Sequence, residues 1–255
     1  MALGPGKAVQ TLQELYREIE KCERCPLAQG RGRAVPGEGP ADARIMFIGE
    51  GPGVQEDRQG RPFIGPAGQF LNELLASIGL DRTKVYITNV VKSRPPGNRD
   101  PQPNEIAACA PWLEQQIALV QPKIIVTLGR FSMARYFPGQ TISRIHGTYK
   151  KVGDQLIFAM YHPAAALHQD ALKNTLRADM QKLPALLAQL DEEERKTQAN
   201  EQLHTNHSEG QQAGSTPDGA DAGSARSSDE AVSAPQAAET SGGQEPDPPR
   251  QLSMF

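Results

Sequence analysis

The sequence predicts a three-layer α/β/α domain with a central, mainly parallel sheet of four strands. Four short, nearly uncharged runs that are rich in β-branched residues are typical of strands buried on both faces. Stretches with helical spacing of apolar residues separate these runs, and this alternation favours parallel strands joined by crossover helices. The predicted strands are 45–48, 85–91, 123–129 and 156–161.

The predicted helices carry apolar residues three or four positions apart. The first places Leu12, Leu15 and Ile19 on one face, and the second is closed by Gly79, a favoured residue at helix C-termini. Asn104 is the predicted N-cap of the third helix. The predicted helical ranges are 11–20, 70–78, 104–120, a segment that begins at 131, and 173–190.

The composition changes near Asp191, where apolar residues become sparse and Gly, Ser, Ala, Gln, Pro and acidic residues take over. Such a composition is typical of disorder. We therefore divide the chain into an N-terminal helix and CxxC segment packed on the core (1–40), an α/β domain (41–190), a disordered acidic tail (191–250) and a short final motif (251–255).

The charge is unevenly distributed along the chain. Residues 1–190 carry 23 Lys and Arg against 17 Asp and Glu, a net +6, whereas residues 191–255 carry 4 against 13, a net −9. A basic domain with a detached acidic tail is compatible with a nucleic-acid ligand, although a solvated surface accounts for a modest excess equally well.

The cysteines and the hydropathy predict the cellular compartment. No apolar run is long enough to span a membrane, and the first residues lack a signal-peptide pattern. Three cysteines, two of them in a CxxC pair, do not indicate a secreted disulfide framework. We expect a cytoplasmic, nucleoid-associated monomer.

Several predicted strands end in a polar or glycine-rich loop. Glu50, Asn89, Gly129 and His162 occupy such positions. Because the carboxyl ends of parallel strands lie at one edge of a sheet, we expect these residues to converge on a site. The glycines of the loop 49–57 allow backbone amides to approach a ligand closely.

Two motifs give the chain a resemblance to a known family. The first is Gly-Glu-Gly-Pro-Gly at 49–53, with Glu56-Asp57 and Pro-Phe-Ile-Gly-Pro-Ala-Gly at 62–68, and the second is His-Pro-Ala-Ala at 162–165. Tyr-Ile-Thr-Asn-Val-Val-Lys at 86–92 and Arg-Pro-Pro-Gly-Asn-Arg at 94–99 match between them. In this order, over roughly residues 10–190, the motifs resemble those of the family 4 uracil-DNA glycosylases, the iron–sulfur type of that superfamily.

The resemblance implies a pocket for a uracil that has been flipped out of DNA. It makes Phe63 the stacking partner of the base and Asn89 the hydrogen-bonding partner of its edge. The backbone at Glu50 and Gly51 would line the pocket. His162 would donate to the uracil O2 as negative charge develops on the leaving base.

The resemblance also implies roles around this pocket. Glu50 is the candidate that positions the water or stabilises the cationic sugar, with Glu56 and Asp57 behind it. The loop 162–167 would enter the DNA and fill the vacated stack. The residues expected to contact DNA are Leu167, which is the candidate wedge, Arg94 and Arg99.

Each candidate also has an ordinary structural interpretation. Asn89 can be a buried polar residue that the backbone satisfies, and Phe63 can be a core side chain. His162 can cap a turn, and Glu56 with Asp57 can form a solvated turn. We favour the functional interpretation because the candidates fall at the ends of different strands.

The same resemblance implies a [4Fe–4S] cluster held by cysteine thiolates. Cys22, Cys25 and Cys109 fall at three of the four ligand positions of the family, and Ser93 stands at the fourth. A serine oxygen is a harder donor than a thiolate and holds iron less well. A cluster completed by Ser93 or an outside ligand, a labile cluster and no cluster all remain open; we favour a structural cluster. A zinc site lacks an evident fourth ligand.

The segment 251–255 resembles the bacterial sliding-clamp-binding pentapeptide, in which a glutamine, a leucine and a final aromatic fill adjoining pockets. Apolar side chains on an otherwise polar tail do not pack into a hydrophobic core, which favours a role in binding a partner. The residues expected to bind the sliding clamp of DNA polymerase are Gln251, Leu252, Met254 and Phe255. A long tether would then raise the concentration of the enzyme near newly replicated DNA. The ordinary interpretation of such a tail is that it has no specific partner.

These inferences predict a monofunctional uracil-DNA glycosylase of base excision repair, which hydrolyses the N-glycosidic bond and leaves an abasic site. No lysine nucleophile is evident at the pocket, which argues against a lyase. The alternative is a catalytically weak or non-catalytic iron–sulfur DNA-binding protein, or a glycosylase for another damaged base.

Overall fold

Five strands form the central sheet of the protein. The computed structural model describes the backbone of residues 11–210 and the side chains of residues 11–198, and the contacts below lie within the unit that ends at Thr205. The strands are β1 (Ile45–Gly49), β2 (Tyr86–Asn89), β3 (Ile124–Leu128), β4 (Tyr149–Val152) and β5 (Gln155–Met160). They lie in the order β2-β1-β3-β5-β4; β4 pairs antiparallel with β5, and all other pairs are parallel.

Helices cover both faces of this sheet. They are α1 (Leu12–Glu20), α2 (Leu27–Gly30), α3 (Val54–Gln59), α4 (Pro66–Ala76), α5 (Pro103–Val120), α6 (Arg130–Ala134), α7 (Ile142–Ile145), α8 (Asp170–Met180) and α9 (Leu183–Gly210). Two 3₁₀ turns, Pro96–Asn98 and Pro163–Ala166, follow β2 and β5.

The alternation of side chains along β1 creates the two layers of the core. Met46 and Ile48 pack into the apolar cluster that includes the buried faces of α1 and α5. Ile45 and Phe47 point to the opposite side and join the cluster formed with α4, α8 and α9. Since successive strand residues face opposite sides, one apolar run supplies both cores. The predicted three-layer α/β/α class is confirmed, with the four predicted strands forming its parallel part.

Strand β4 is the element that the sequence pattern missed. All four of its residues, Tyr149 to Val152, are exposed, so they show neither an apolar run nor an alternation. β4 lies at the edge of the sheet and pairs only with β5. Edge strands commonly carry such charged residues, here two lysines, because an exposed apolar edge promotes aggregation.

Several helix boundaries also differ from the predicted ones. Helix α5 begins at Pro103 rather than after Asn104, because Gln102 is the N-cap and the Glu105 carboxylate accepts from its backbone N–H at 2.7 Å. The predicted helix 173–190 is two helices, α8 and α9, with a break between Met180 and Leu183.

Helix α9 continues to Gly210, beyond the Asp191 boundary that the sequence predicts for the tail. Ion pairs support its acidic stretch, since Asp191 pairs with Arg44 and Glu194 pairs with Lys123. The rest of the predicted tail and the motif 251–255 lie outside the described residues, so the domain division stays a prediction. Between residues 11 and 210 no helix is both long and apolar enough to cross a membrane.

Candidate active site

A cavity of about 400 Å³ opens at the carboxyl edge of the parallel strands. Its volume lies in the range of small-molecule sites. It brings together the predicted pocket residues and two of the three predicted DNA contacts: Glu50, Gly51, Phe63, Asn89, His162, Arg99 and Leu167. Of the four residues expected to converge from the strand ends, Glu50, Asn89 and His162 line the cavity, and Gly129 does not.

Asn89 is the last residue of β2, and its side chain is aimed into the cavity. It is 1% exposed, and its Oδ1 is the one buried side-chain oxygen or nitrogen without a hydrogen-bond partner among the residues described. Buried polar atoms are almost always paired, because an unpaired one costs roughly 1–3 kcal/mol. The ordinary interpretation, in which the backbone satisfies Asn89, therefore fails for this atom.

Phe63 forms a wall of the cavity from the loop before α4. Its ring is 3% exposed and belongs to the apolar core, so the core interpretation and the cavity role both hold. A Cβ added to Gly49 would lie 2.5 Å from this ring and 2.4 Å from the Asn89 Oδ1. Gly49 must therefore be a glycine for both side chains to reach the cavity.

His162 stacks against Phe63 at the cavity, with the two ring centroids 5.5 Å apart and an angle of 28° between the ring planes. Its Nδ1 accepts a hydrogen bond from the Ala164 backbone N–H at 3.1 Å. Burial lowers the pKa of His162 from 6.5 to about 4, against the opposing effect of the negative charge of Glu56. At neutral pH the ring is thus uncharged, and its proton is on Nε2, the remaining nitrogen.

The three carboxylates of the first motif have different surroundings. Glu50 lines the cavity, and burial raises its pKa, as does the negative charge of Asp100, while Arg130 opposes the shift. The Glu56 Oε1 accepts from the backbone N–H groups of Ile64 and Gly65, at 2.9 Å each. Glu56 thus braces the Phe63 loop.

Asp57 does not line the cavity. Its carboxylate accepts from the Gly32 backbone N–H at 2.9 and 3.1 Å and ties α3 to the segment after α2. The ordinary interpretation, a solvated turn at these two acidic residues, does not hold, because both lie in α3 and both carboxylates bind backbone amides. Neither carboxylate is therefore a solvated one, and the Asp57 carboxylate has a structural role away from the cavity.

Lys92 is close to the cavity but does not line it. It is 2% exposed, and its amine donates to the backbone oxygen of Asn89 at 2.6 Å, to Thr88 at 2.7 Å and to Gln116 at 2.6 Å. No lysine is among the lining residues within the described part of the chain. The amine of Lys92 holds the end of β2 in place.

Two of the three predicted DNA contacts, Leu167 and Arg99, line the cavity. Leu167 is half-buried at the end of the 3₁₀ turn after His162, and Arg99 forms two hydrogen bonds with the buried carboxylate of Glu105 at 2.7 and 2.9 Å. Arg94 does not line the cavity; its Nε donates to Asn98 at 2.7 Å. Asn98 itself and Pro95 line the cavity, although sequence reasoning assigned them no role. Both fall within the quoted motif 94–99, which was the available signal.

Comparison with known proteins agrees with this geometry. A model of the uracil DNA glycosylase superfamily matches residues 36–183. The type-4 uracil-DNA glycosylase of Sulfurisphaera tokodaii is 45% identical over 189 residues, which cover 70% of this chain and 86% of that protein. The type-4 enzymes of Archaeoglobus fulgidus and Thermotoga maritima are 43% and 40% identical over 187 and 184 residues, each covering 70% of this chain and 94% and 96% of those proteins.

The chain belongs to the uracil-DNA glycosylase superfamily. The matched region starts before β1 and ends at the beginning of α9, so it contains all five strands and every residue of the cavity. The family resemblance inferred from the two motifs is confirmed for this region. The clamp-binding-like motif lies outside it.

The cysteines of this superfamily member line a second cavity on the α1 side of the sheet. Cys22, Cys25 and Cys109 share it with Ser93, the residue at the fourth position. The Trp112 indole N–H donates to the Cys22 sulfur at 3.2 Å, and the backbone N–H of Lys92 donates to the Cys109 sulfur at 3.3 Å. Donors directed at sulfur suit thiolates, since they stabilise negative charge on that atom.

No three His, Cys, Asp or Glu side chains among the described residues are arranged to hold one metal ion. This arrangement does not suit a single zinc ion, which needs its ligands around one centre. The ligands of an iron–sulfur cluster bind different iron atoms and so need not approach one point. Three thiols and a serine hydroxyl around one cavity, with N–H groups directed at two of the sulfurs, fit a cluster better than zinc.

We predict that His162 makes the stability depend on pH in the acidic range. The His162 ring takes up a proton near pH 6.5 in the unfolded protein and near pH 4 in the folded protein. The unfolded state therefore binds more protons between these two pH values. The free energy of unfolding should therefore fall as the pH is lowered from 6.5 to 4, by at most about 3 kcal/mol from this residue. In His162→Gln this part of the decline should be absent, measured by urea denaturation at several pH values.

The exposed His168 provides the matched control. The free energy of unfolding of His168→Gln should fall with decreasing pH as much as that of the unmodified protein. If the free energy of unfolding falls equally in the unmodified protein, His162→Gln and His168→Gln, His162 is not the residue responsible.

Proposed function

We propose that this protein is a monofunctional uracil-DNA glycosylase. It takes a flipped-out deoxyuridine into the 400 Å³ cavity, hydrolyses the bond between the sugar C1′ and the uracil N1, and leaves an abasic site in the DNA. The family membership supports the activity, since the type-4 relatives carry this name.

The observation that carries the proposal is the unpaired Oδ1 of Asn89. A buried acceptor without a partner requires a donor from the ligand. Uracil has an N–H at ring position 3 with carbonyl oxygens on either side, so it offers that donor. The carboxamide NH₂ of Asn89 can bind one of the carbonyls at the same time.

The same atom explains the choice between uracil and cytosine. Cytosine has no hydrogen on N3, so its ring nitrogen would place an acceptor opposite the Asn89 Oδ1. Two acceptors facing each other in a buried site leave both unpaired, and a site built for a hydrogen bond rejects such analogues strongly. Phe63 contributes stacking, which holds the base without distinguishing the two.

Cleavage places negative charge on uracil and positive charge on the sugar. The Nε2–H of the neutral His162 can donate to the uracil O2 as the C1′–N1 electron pair passes to the ring. The oxygen of a water molecule then bonds to C1′, and the proton that this water loses balances the charge of the uracil anion, so that the products are neutral uracil and the abasic sugar. Glu50 lines the cavity and is the residue we assign to positioning this water and stabilising the cationic sugar.

The lysine geometry supports hydrolysis without a lyase step. A lyase of this kind needs an amine that attacks C1′, and Lys92 directs its amine to three protein oxygens instead. Within the described residues no lysine lines the cavity.

We assign DNA contacts to the rim of the cavity. Leu167 lies where a side chain can enter the stack that the flipped base leaves. Arg99 is fixed by Glu105, so it presents a rigid cation, while Arg94 is fixed by Asn98. These roles remain proposals.

The test of the function is uracil release from single- and double-stranded oligonucleotides. The unmodified protein should release uracil, and Asn89→Ala should lower kcat/KM by about 100-fold or more, because the N3–H loses its acceptor. Asn72→Ala, the same change at an exposed position of α4, should have no effect. No uracil release by the unmodified protein would favour a DNA-binding protein or a different damaged base.

We further propose that Cys22, Cys25 and Cys109 hold a [4Fe–4S] cluster, with Ser93 at the fourth position. When bound, such a cluster is structural and ties the α1–α2 region to α5. Arg31 donates to the Ser93 hydroxyl at 3.2 Å and to the Cys22 backbone oxygen at 2.9 Å, so the protein itself already joins the α1–α2 region to the segment after β2.

Anaerobically purified protein should contain iron and acid-labile sulfide. Ser93→Cys should retain iron longer under a chelator, because a thiolate is the better ligand, whereas Cys109→Ser should lose it faster. Iron content and visible absorption over time are the measurements. An iron-free protein that is fully folded and active contradicts the cluster.

The segment 251–255 remains a proposed sliding-clamp ligand. Deletion of Gln251–Phe255 should abolish binding to a bacterial sliding clamp, because the glutamine, leucine and aromatic anchors are lost together. Surface plasmon resonance measures the binding, and uracil release from short oligonucleotides should stay unchanged. Replacing Ser253 alone by Ala is the control, and clamp binding that survives the deletion contradicts the proposal.

A further inference from the structure

The loop that carries Phe63 has an unusual backbone. Phe63 has φ = +52°, in the left-handed region, where bulky side chains are rarely found. Such a conformation persists only where the surroundings impose it, and it tends to occur at functional sites. The contacts that impose it here therefore determine where the ring lies.

Charged side chains hold this loop from two sides. The Arg82 guanidinium donates to the backbone oxygens of Phe63 at 2.9 Å and Pro62 at 2.6 Å. The Glu56 carboxylate accepts the N–H groups of Ile64 and Gly65. The peptide between Phe63 and Ile64 is thus bound at its oxygen by a cation and at its N–H by an anion, which fixes its orientation.

Packing removes the space into which this peptide could turn. A Cβ added to Gly68 in α4 would lie 1.8 Å from the Phe63 backbone oxygen. The helix and the loop therefore approach as closely as a glycine permits, and the oxygen has Arg82 as its hydrogen-bond donor.

Arg82 is itself anchored to the sheet. Its Nε donates to Glu38 at 3.1 Å, and its side chain is 16% exposed. Burial alone would raise the pKa of Glu38, but the hydrogen bonds from Arg61 and Arg82 outweigh it and lower the pKa to about 2. Glu38 pairs through its backbone with Ile87 in β2, the strand that ends at Asn89.

We propose that Arg82, anchored by Glu38, is a positioning residue that holds the Phe63 ring at the distance from Asn89 that a stacked uracil requires. The inference rests on the proposed function of the cavity. Arg82 does not line the cavity, so it acts through the loop. Through Glu38, Arg82 connects the loop that carries Phe63 to β2, the strand that ends at Asn89.

Arg82→Gln removes the cation but keeps a polar side chain. We expect kcat/KM for uracil release to fall about 10- to 100-fold and inhibition by free uracil to weaken by a similar factor, as for the loss of charge-assisted hydrogen bonds. Arg82→Lys should recover part of the loss. Arg61→Gln is the matched control, because Arg61 pairs with the same Glu38 at an exposed position and does not bind the loop; it should change kcat/KM less than about threefold.

A double-mutant cycle separates positioning from a general loss of structure. In a Phe63→Ala background, Arg82→Gln should lower kcat/KM by less than about threefold, because the ring that Arg82 positions is absent. The same loss in both backgrounds, or a loss that follows the Tm of the variants, would overturn the proposal.

Hydrogen exchange provides a readout that does not depend on activity. In Arg82→Gln the amides of Ile64 and Gly65 should exchange at least about tenfold faster, while the amide of Ile87, which binds the Glu38 oxygen, should not change. Unchanged exchange at Ile64 and Gly65 refutes the positioning role. If the unmodified protein releases no uracil, the proposed function fails, while the exchange experiment still tests the loop.

Discussion

The parallel pairing of Gly49 with Asn89 is the constraint on which the candidate site depends. It places the end of β2 directly beside the end of β1, at the edge of the sheet where the loops diverge. Because Gly49 has no Cβ, the space beside it is filled by the Asn89 oxygen and the Phe63 ring. A shift of this register by one residue would turn Asn89 to the other face of the sheet, so the strand pairing places the side chain to which we assign base recognition.

The charges of the pocket are arranged for a neutral ligand that becomes charged during reaction. His162 is held neutral with its Nε2–H directed away from its own backbone contact, and burial disfavours the charged form of Glu50. A phosphate would be repelled by the negative charge of Glu56 at this cavity, although the glycine-rich loop resembles an anion-binding loop in sequence. The carboxylates distinguish the two interpretations, because they favour a base and a cationic sugar over an anion.

The sequence predicted the parts of the fold that local pattern determines. The runs that form β1 and β3 are buried at every residue, so their periodicity and composition agree with the structure. Strand β4 carries no such signal, since all its residues are exposed and its pairing with β5 alone defines it. The predicted start of α5 was wrong because two residues, Gln102 and Asn104, are candidates for its N-cap. The Glu105 carboxylate accepts from the backbone N–H of Gln102, so the helix begins after Gln102.

The site was predictable where a residue follows a strand, and not where it acts through distant contacts. Asn89 and His162 stand at strand ends, and that position alone marked them. Arg82 reaches the Phe63 loop and Glu38 across 19 and 44 positions of the chain, and no local pattern relates these residues. The sequence likewise did not predict the contacts of Glu56, because its carboxylate binds backbone N–H groups, which nearly every residue type has.

The segment from Asn89 to Ser93 joins the two cavities, and its hydrogen bonds show why they are separable. At the pocket end, the N–H groups of Val90 and Val91 bind the backbone oxygens of Gly49 and Glu50, which extends the β1–β2 pairing beyond the strands. At the other end, Ser93 binds Arg31 and faces the cysteines. The cluster that we propose would therefore act through Ser93 on the attachment of the α1–α2 region, four residues from Asn89. Its loss would leave the hydrogen bonds of Val90 and Val91 at the pocket end in place.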